Sequence, residues 1–387
     1  MNDLENSSGQ LFLLVHFCHI PWVRATTAHN LVRYQTNVKQ TNRLPLAKPR
    51  PCRYKKEVIR RCMTPRPYSH GAAMIHLSGS LAFDRIMTFP GRFEDHILPE
   101  KLHFLNVCFP IDHVEEKRGG TAGNIAYTLA LLNEPSTIYT SVGKDFAAYG
   151  RELMELGISL DGVNTVENDF TACAYITSDQ AGNQITGFSP AAMKVPAFPG
   201  RTPAVKEGDW ALIGPGNVDD MVNLAAFYRE NGVKYIFDPG QQITSMTGDQ
   251  LVSGFTGATV LIGNDYEIEL IGKMTGLDRE ALLDRVEFLI VTYGSKGSSI
   301  LHKGVNPYEV PAVKPEVVSD PTGAGDSYRS GLLKGLHSGM GIHFAARLGA
   351  VASSFCVEKY GTQLHSFDTE TFRARYEAIF GPMPVMK

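Results

Sequence analysis

From Met74 onward, short apolar runs of strand length alternate with longer segments in which apolar residues recur at helical spacing. Such alternation is typical of α/β domains, in which parallel strands form one sheet and helices cover both of its faces. Ligands of this architecture collect at the carboxyl ends of the strands. The predicted strands are 75–79, 136–142, 210–213, 235–238, 260–263 and 288–292, and the predicted helices include 124–132, 221–230 and 279–285.

The first 73 residues differ from the rest of the chain in charge and in pattern. They hold 12 Lys or Arg against 3 Asp or Glu, whereas the rest of the chain holds 25 against 37. They show no sustained helix or strand period and carry prolines among basic residues. We expect a basic, disordered extension at 1–73 and a working domain at 74–387. A nucleic-acid-binding arm or a targeting presequence is the alternative for the extension.

Composition excludes several classes of protein. The six cysteines lack CxxC spacing, so neither a zinc site nor a disulfide framework is indicated. No apolar run approaches the roughly 20 residues that span a bilayer. The short apolar stretch 11–15 follows Asp3 and Glu5, where a secretory signal would carry positive charge. We therefore expect a cytoplasmic protein without a membrane or nucleic-acid partner.

Two segments, 87–114 and 170–186, do not fit the alternation of strand and helix. Ala172, Ala174 and Ile176 alternate with other residues in the second of them, which indicates extended chain outside the main sheet. The pattern predicts a small antiparallel sheet that covers the site as a lid. Such a lid would exclude water from a reactive phosphate.

A glycine-rich turn stands immediately before an apolar helical pattern near the end of the chain, in the sequence Asp320-Pro-Thr-Gly-Ala-Gly-Asp326. Gly323 and Gly325 allow successive backbone N–H groups to point at one place, and a helix that begins there adds its positive end. Asp326 could then take a proton from a substrate hydroxyl during phosphoryl transfer. The alternative is an ordinary helix N-terminus with a capping Asp. Neither the P-loop nor the Gly-x-Gly-x-x-Gly pattern occurs here.

Four further motifs contain residues suited to ligand binding, and three of them follow predicted strands. Gly119-Gly120 precedes a helix that presents the amide of Asn124, which suits neighbouring hydroxyls, and Asp84 offers acceptors for two sugar hydroxyls or is a turn residue. The run 264–267 places a carboxylate where hydrated magnesium could bind, or Asn264 caps a helix. The run 292–297 has glycines that permit a nucleotide to approach, or it is a hairpin turn.

In this order the motifs resemble the ribokinase-like (PfkB) family of sugar and nucleoside kinases over essentially all of 74–387, and within it the bacterial adenosine kinases. The similarity to adenosine kinases includes Asp238-Pro-Gly-Gln241-Gln242 and the late Gly361-Thr-Gln363. The resemblance implies a three-layer α/β/α Rossmann-like sandwich with a β-sheet lid. It also implies transfer of the ATP γ-phosphate to the 5′-hydroxyl of adenosine, with Mg²⁺, and a homodimer formed through the lid.

The resemblance also implies a role for each matching residue. It makes Asp326 the base, with the N–H groups of Gly323, Ala324 and Gly325 as the anion hole. On the nucleoside, it has the ribose bound by Asp84, Gly120 and Asn124 and places Ser80, Phe188, Gln241 and Gln242 nearby. For ATP, it assigns phosphate and magnesium to Asn264 and Glu267, with Glu267 as the metal ligand, and lines the site with Thr292, Gly294 and Gly297. Family members use a monovalent cation near the position of Asp320, so K⁺ is a further expectation.

Two alternative functions remain open at this stage. One is a kinase for ribose, fructose or another nucleoside such as inosine or guanosine; Gln241 and Gln242 favour an acceptor that carries a base. The other is a non-catalytic nucleoside-binding regulatory protein on the same scaffold. Asp326 in its full glycine turn speaks against that second function, because a binding module does not need a base.

Overall fold

The computed structural model of the protein describes residues 73–97, 103–104 and 106–385. The predicted extension lies outside the described residues except for residue 73, so its disorder stays a prediction. Among the described residues, no helix is long and apolar enough to cross a membrane.

The described chain contains one large sheet of nine strands, numbered along the sequence. Its strands are β1 (Ile75–Ser78), β4 (Ser136–Gly143), β5 (Ser159–Val166), β8 (Trp210–Ile213), β9 (Lys234–Phe237), β10 (Val260–Asn264), β11 (Phe288–Thr292), β12 (Ser298–His302) and β13 (Val305–Val310). Their order is β13-β12-β11-β10-β9-β8-β1-β4-β5. The seven strands from β11 to β5 in this order pair in parallel, and β12 and β13 add antiparallel neighbours at one edge. The predicted α/β architecture is confirmed.

Helices cover both faces of this sheet because alternate residues of its strands are apolar on both sides. On β8, for example, Trp210 and Leu212 belong to one buried core, whereas Ala211 and Ile213 belong to the other. The helices are α1 (Thr121–Leu131), α2 (Ala147–Glu155), α3 (Val218–Glu230), α4 (Gly248–Phe255), α5 (Asp265–Thr275), α6 (Arg279–Leu283), α7 (Ala324–His337), α8 (Ile342–Cys356) and α9 (Thr369–Phe380).

A second sheet of four strands lies outside the large one. It consists of β2 (Ala82–Thr88), β3 (His113–Gly119), β6 (Ala172–Ser178) and β7 (Gln184–Ser189) in the order β3-β2-β6-β7. The prediction of a purely antiparallel sheet is wrong, because β2 pairs in parallel with β6. Among the described residues of the predicted extended segment 87–114, only the first two and the last two belong to strands. The strands there end at Thr88 and resume at His113, because Pro90 cannot donate a ladder hydrogen bond and Phe89 packs on Phe93 and Phe109.

The order of strands reverses at β1, which has β8 on one side and β4 on the other. The segments that follow β1 and β8 continue toward opposite edges of the sheet, and α/β sheets typically have a ligand-binding crevice at such a point. The two segments are joined there by a hydrogen bond of 2.8 Å from the N–H of Ser80 to the carbonyl oxygen of Pro215. A ligand site is expected at this edge.

Candidate active site

The glycine turn forms the N-terminus of α7. Gly323 is the N-cap residue and has φ +79°, a conformation that favours glycine. A Cβ at Gly323 would come within 3.0 Å of the side chain of Thr362. The N–H of Ala324 donates to the carbonyl oxygen of Pro321 at 3.2 Å, so it is engaged within the turn. An anion hole at this helix end would therefore rely first on Gly323 and Gly325.

Asp326 lies in the first turn of α7 and is half-buried. Its Oδ2 accepts a hydrogen bond of 2.8 Å from Nδ2 of Asn124, on α1. Burial raises the pKa of Asp326 to about 6, whereas Asn124 and Arg329 act to lower it and Asp238 acts to raise it. A carboxylate with this pKa is ionised at neutral pH and is a better proton acceptor than an ordinary aspartate.

Arg329, one turn further along α7, was not among the predicted site residues. It is buried, and its Nη2 donates to Oδ1 of Asp238 at 2.8 Å, while its Nε contacts the other carboxylate oxygen. Its charge also acts on Asp326 and Glu267. Arg329 therefore pairs with Asp238 and places a positive charge near Asp326 and Glu267. The sequence signal was an arginine on the apolar face of a helix, three residues after the candidate base.

The residues predicted to bind the ribose lie close to the start of α1. Gly120 has φ +88°, and a Cβ there would overlap the carbonyl oxygen of Ser80 at 2.5 Å. Ser80 is buried, and its Oγ accepts from the N–H of Thr121 at 3.0 Å. Its hydroxyl is therefore used to fix the start of α1. This contact explains the glycine at 120 by close approach of two backbone segments.

Asp84 is half-buried on β2, in the small sheet. Burial raises the pKa of its carboxyl, while Lys117 acts to lower it and Asp320 acts to raise it. A Cβ at Gly119 would come within 2.9 Å of Oδ2 of Asp84. Asp84 therefore lies beside Gly119, and its carboxyl is near enough to Asp320 for the two charges to act on each other.

The residues predicted to lie near the base of a nucleoside belong to separate elements of the structure. Phe188 is 50 % exposed on β7. Gln241 is exposed in a short 3-10 helix, and Gln242 next to it donates to the carbonyl oxygen of Gly216 at 2.7 Å. The amide of Gln242 is thus used to hold two loops together, and the structure brings neither glutamine into contact with Phe188.

Asn264 and Glu267 form a capping box at the start of α5. The N–H of Glu267 donates to Oδ1 of Asn264 and the N–H of Asn264 donates to Oε2 of Glu267, each at 2.8 Å. The helix-cap alternative from the sequence is therefore present in the structure. Burial raises the pKa of Glu267, against the hydrogen bond from Asn264.

Thr292, Gly294 and Gly297 lie at the turn between β11 and β12. Thr292 ends β11, and its hydroxyl lies 3.5 Å from the carbonyl oxygen of Gly263. Gly297 has φ +96°, and a Cβ there would meet the carbonyl oxygen of Val310 at 2.1 Å, so the hairpin itself requires this glycine. A Cβ at Gly294 would meet open space. The hairpin alternative is confirmed, and the edge where a nucleotide would lie is left open beside Gly294.

Within the part of the chain that the structure describes, no group of three or more His, Cys, Asp or Glu side chains is placed to hold a metal ion. Proteins commonly hold Mg²⁺ through one or two carboxylates, while phosphates and water supply the other ligands. Glu267 has one carboxylate oxygen in the capping box and a second that could bind water around such an ion. A metal cage built by the protein alone does not fit.

Comparison with known proteins agrees with this geometry. The model of the pfkB family carbohydrate kinases matches residues 84–370. The nucleoside kinase of Methanocaldococcus jannaschii is 33% identical over 267 residues, which cover 68% of this chain and 87% of that protein. Its crystal structure gives a TM-score of 0.71 at 30% identity, over 80% of this chain and all of that one.

A second structural relative is the nucleoside kinase of Burkholderia thailandensis in complex with inosine, with a TM-score of 0.69 and 35% identity over 80% of this chain and 99% of that one. The family match begins within β2 of the small sheet and extends past the glycine turn at the start of α7. The chain belongs to the pfkB family of carbohydrate kinases.

Proposed function

We propose that this protein transfers the γ-phosphate of ATP to the 5′-hydroxyl of a nucleoside, with adenosine as the predicted acceptor and AMP as the product. One observation carries this proposal: Asp326, with its raised pKa, stands at the glycine turn that begins α7 and is held by Asn124. A base and an anion site therefore meet at one helix end, as in-line phosphoryl transfer requires.

In this reaction Asp326 accepts the proton of the attacking hydroxyl while the turn receives the moving phosphoryl group. The N–H groups of Gly323 and Gly325 and the positive end of α7 neutralise the charge that develops on that group. Mg²⁺, when bound, neutralises the phosphate chain of ATP, and Glu267 holds its hydration shell. The ATP chain approaches along Asn264, Thr292 and Gly294, over the closely packed Gly297.

The nucleoside lies on the other side of the crevice. Asp84, Gly120 and Asn124 receive the ribose hydroxyls, and Ser80 supports the turn around them. Phe188 stacks on the base with Gln241 at its edge, and Gln242 lies next to Gln241 and holds the loop of Gly216 in place. The Burkholderia thailandensis relative, a nucleoside kinase solved with inosine, makes inosine the second candidate acceptor. Production of AMP from adenosine would place the enzyme in purine salvage.

The small sheet is proposed to act as a lid and as the surface of a homodimer. Three large apolar side chains on the face of this sheet opposite Phe188 are 40 to 59 % exposed: Val114, Tyr175 and Ile185. Exposed apolar side chains gathered on one small element are typical of interaction surfaces. Light scattering after size-exclusion chromatography would show a dimer if this is right and a monomer if it is not. A need for K⁺ near Asp320 and a cytoplasmic location stay predictions.

A coupled ATPase assay with adenosine, inosine, guanosine, ribose and fructose 6-phosphate tests the proposal. We expect turnover with nucleosides, highest with adenosine, and little turnover with the two sugars. A preference for ribose or fructose 6-phosphate would contradict the proposal and support the sugar-kinase alternative. Nucleoside binding by calorimetry without any turnover would support the regulatory alternative.

A further inference from the structure

Four polar side chains form a continuous chain of hydrogen bonds that ends at the proposed base. Nε2 of Gln363 donates to the hydroxyl of Tyr149 at 2.6 Å and to Oδ1 of Asn124 at 3.0 Å. Nδ2 of Asn124 in turn donates to Asp326 at 2.8 Å. Tyr149 lies on α2, Asn124 on α1 and Gln363 in the loop after α8, so three separate parts of the chain meet beside α7.

The donor and acceptor of every hydrogen bond in this series are determined at the end that is furthest from Asp326, where Tyr149 meets Gly119. The hydroxyl of Tyr149 lies 2.9 Å from the carbonyl oxygen of Gly119, which can only accept, so Tyr149 must donate there. The hydroxyl oxygen is then an acceptor, which requires the NH₂ group of Gln363 to face it. The second hydrogen of that NH₂ group goes to Oδ1 of Asn124, and this leaves the NH₂ group of Asn124 for Asp326.

A flip of the Asn124 amide would place its oxygen against the carboxylate of Asp326 and its NH₂ group against that of Gln363. Both contacts would be repulsive, so Gln363 selects one of two amide orientations that have nearly equal shape. Gly123 leaves the space for this arrangement, because a Cβ there would lie 2.1 Å from the hydroxyl of Tyr149.

The loop that carries Gln363 is itself fixed at two points. The N–H of Gly361 donates to Oδ2 of Asp320 at 3.0 Å, and the hydroxyl of Thr362 donates to the carbonyl oxygen of Arg118 at 3.1 Å. Arg118 lies at the end of β3, in the small sheet, and Asp320 begins the catalytic turn. Gln363 is therefore held between the small sheet and the catalytic turn.

We propose that Gln363 is a positioning residue of the phosphoryl-transfer site, which acts through Asn124 to keep a hydrogen-bond donor directed at Asp326. The inference rests on the proposed function, because it assigns a purpose to an arrangement around the proposed base. Gln363 does not touch the reacting atoms in this role. It sets the amide polarity that makes the carboxylate of Asp326 both oriented and ionised.

If the Asn124 amide is no longer held in this orientation, the pKa of Asp326 changes. Because the hydrogen bond from Asn124 favours the ionised carboxylate, its loss raises the pKa of Asp326 further. The other charged or titratable groups that face Asp326 are Arg329 on its own helix, Asp238 after β9 and the thiol of Cys356 on α8. None of these three groups takes part in the series of hydrogen bonds. Their effect on the pKa of Asp326 should therefore be the same in the variants and in the unaltered protein.

The test replaces Gln363 by Leu, which removes both donated hydrogen bonds, and Tyr149 by Phe, which removes only the fixed acceptor. The titration of Asp326 is followed by ¹³C NMR on protein labelled at aspartate, with Asp326→Asn to assign the signal. We expect Gln363→Leu to move the titration midpoint to higher pH and to lower kcat about tenfold, with KM for the nucleoside within about twofold. Tyr149→Phe should shift the midpoint less, in the same direction.

The matched control is Gln180→Leu, since Gln180 is an exposed glutamine in the turn between β6 and β7. An unchanged midpoint together with normal kcat in both Gln363→Leu and Tyr149→Phe would overturn the inference. If Gln363→Leu fails to fold, the result for Tyr149→Phe decides. The titration needs no substrate, so a shifted midpoint in a protein that phosphorylates no nucleoside would leave the positioning role intact and reject only the proposed function.

Discussion

The two sides of the crevice are built in different ways. On the side proposed for phosphoryl transfer, Asp326 and Arg329 are hydrogen-bonded or ion-paired to other protein groups and lie largely inside the protein. On the nucleoside side, Phe188 and Gln241 are exposed. Groups that stabilise a transition state must be held in place before the reaction, whereas groups that recognise a ligand can be ordered by binding it.

This difference has a kinetic signature. Substitutions on the phosphoryl-transfer side should lower kcat, because they remove interactions that are strongest in the transition state. Substitutions on the nucleoside side should raise KM or change the preferred acceptor while kcat changes little. Four substitutions, two on each side, test whether the two sides differ in this way.

The largest effect is expected for Asp326→Asn, which removes the base and keeps the shape of the side chain. We expect kcat to fall between about 10²- and 10⁴-fold, measured by the coupled assay with adenosine. In the unaltered protein, kcat/KM should rise with pH to a plateau, with a midpoint near the Asp326 pKa of about 6. Asp249→Asn, an exposed position in the first turn of α4, is the control and should keep normal turnover.

Stability should change in the opposite sense in the same variant. The folded-state pKa of Asp326 lies above its ordinary value of 3.8, so the folded protein binds this proton more tightly than the unfolded chain. The contribution is complete below about pH 4 and is lost as the pH rises through about 6. At pH 7.5 the ionised group therefore costs stability, up to about 2 kcal/mol for a half-buried carboxylate that solvent partly screens. Asp326→Asn should melt at an equal or higher temperature than the unaltered protein at that pH.

The second substitution, Arg329→Met, removes one partner of the buried pair with Asp238. We expect a loss of about 3 kcal/mol in the free energy of unfolding, measured in urea, because the Asp238 carboxylate is left buried without its partner. The double substitution Arg329→Met with Asp238→Asn should recover part of that loss. If the single and double variants are equally unstable, the pair does not organise this side of the crevice.

The contrast also explains how much could be read from the sequence. The six strands that were predicted for the large sheet agree with the structure within one residue at each end, because each is a short apolar run with clear limits, whereas β5, β12 and β13 were not predicted. Two helices begin three residues before the predicted start, at Thr121 and Val218. Their first turns contain polar or small residues, and the start of the second is set by a cap in which Asn217 accepts from the N–H of Asp220. Apolar spacing does not detect such turns.

Contacts between distant parts of the chain were beyond the sequence analysis. Gln363 meets Asn124 from 239 residues away, and Arg329 meets Asp238 from 91 residues away. Local patterns identify the turn that carries Asp326 because its glycines and its carboxylate are neighbours in sequence. They do not identify the partners that orient that carboxylate, since those partners are brought together only when the sheet and its helices assemble.

On the nucleoside side, Phe188→Ala should raise KM for adenosine about fivefold and leave kcat nearly unchanged, because stacking on a base contributes roughly 1 kcal/mol or more. The control is Ile185→Ala, on the same strand, with 47 % exposure and on the opposite face of the small sheet. Steady-state kinetics with adenosine at saturating ATP measure both values. A fall in kcat without a change in KM would place Phe188 with the phosphoryl-transfer groups instead.

The smallest effect is expected for Gln241→Ala, because one exposed amide can add only a single hydrogen bond to a bound base. Adenine presents an amino group at position 6 and hypoxanthine an oxo group, so an amide near that edge distinguishes them by which of its ends it turns toward the base. Loss of the amide should change the ratio of kcat/KM for adenosine to that for inosine about threefold. Gln242 holds Gly216 instead, so Gln242→Ala should lower the melting temperature and leave that ratio unchanged. An altered ratio in Gln242→Ala alone would show that the amide already bonded to the protein, and not the exposed one, selects the base.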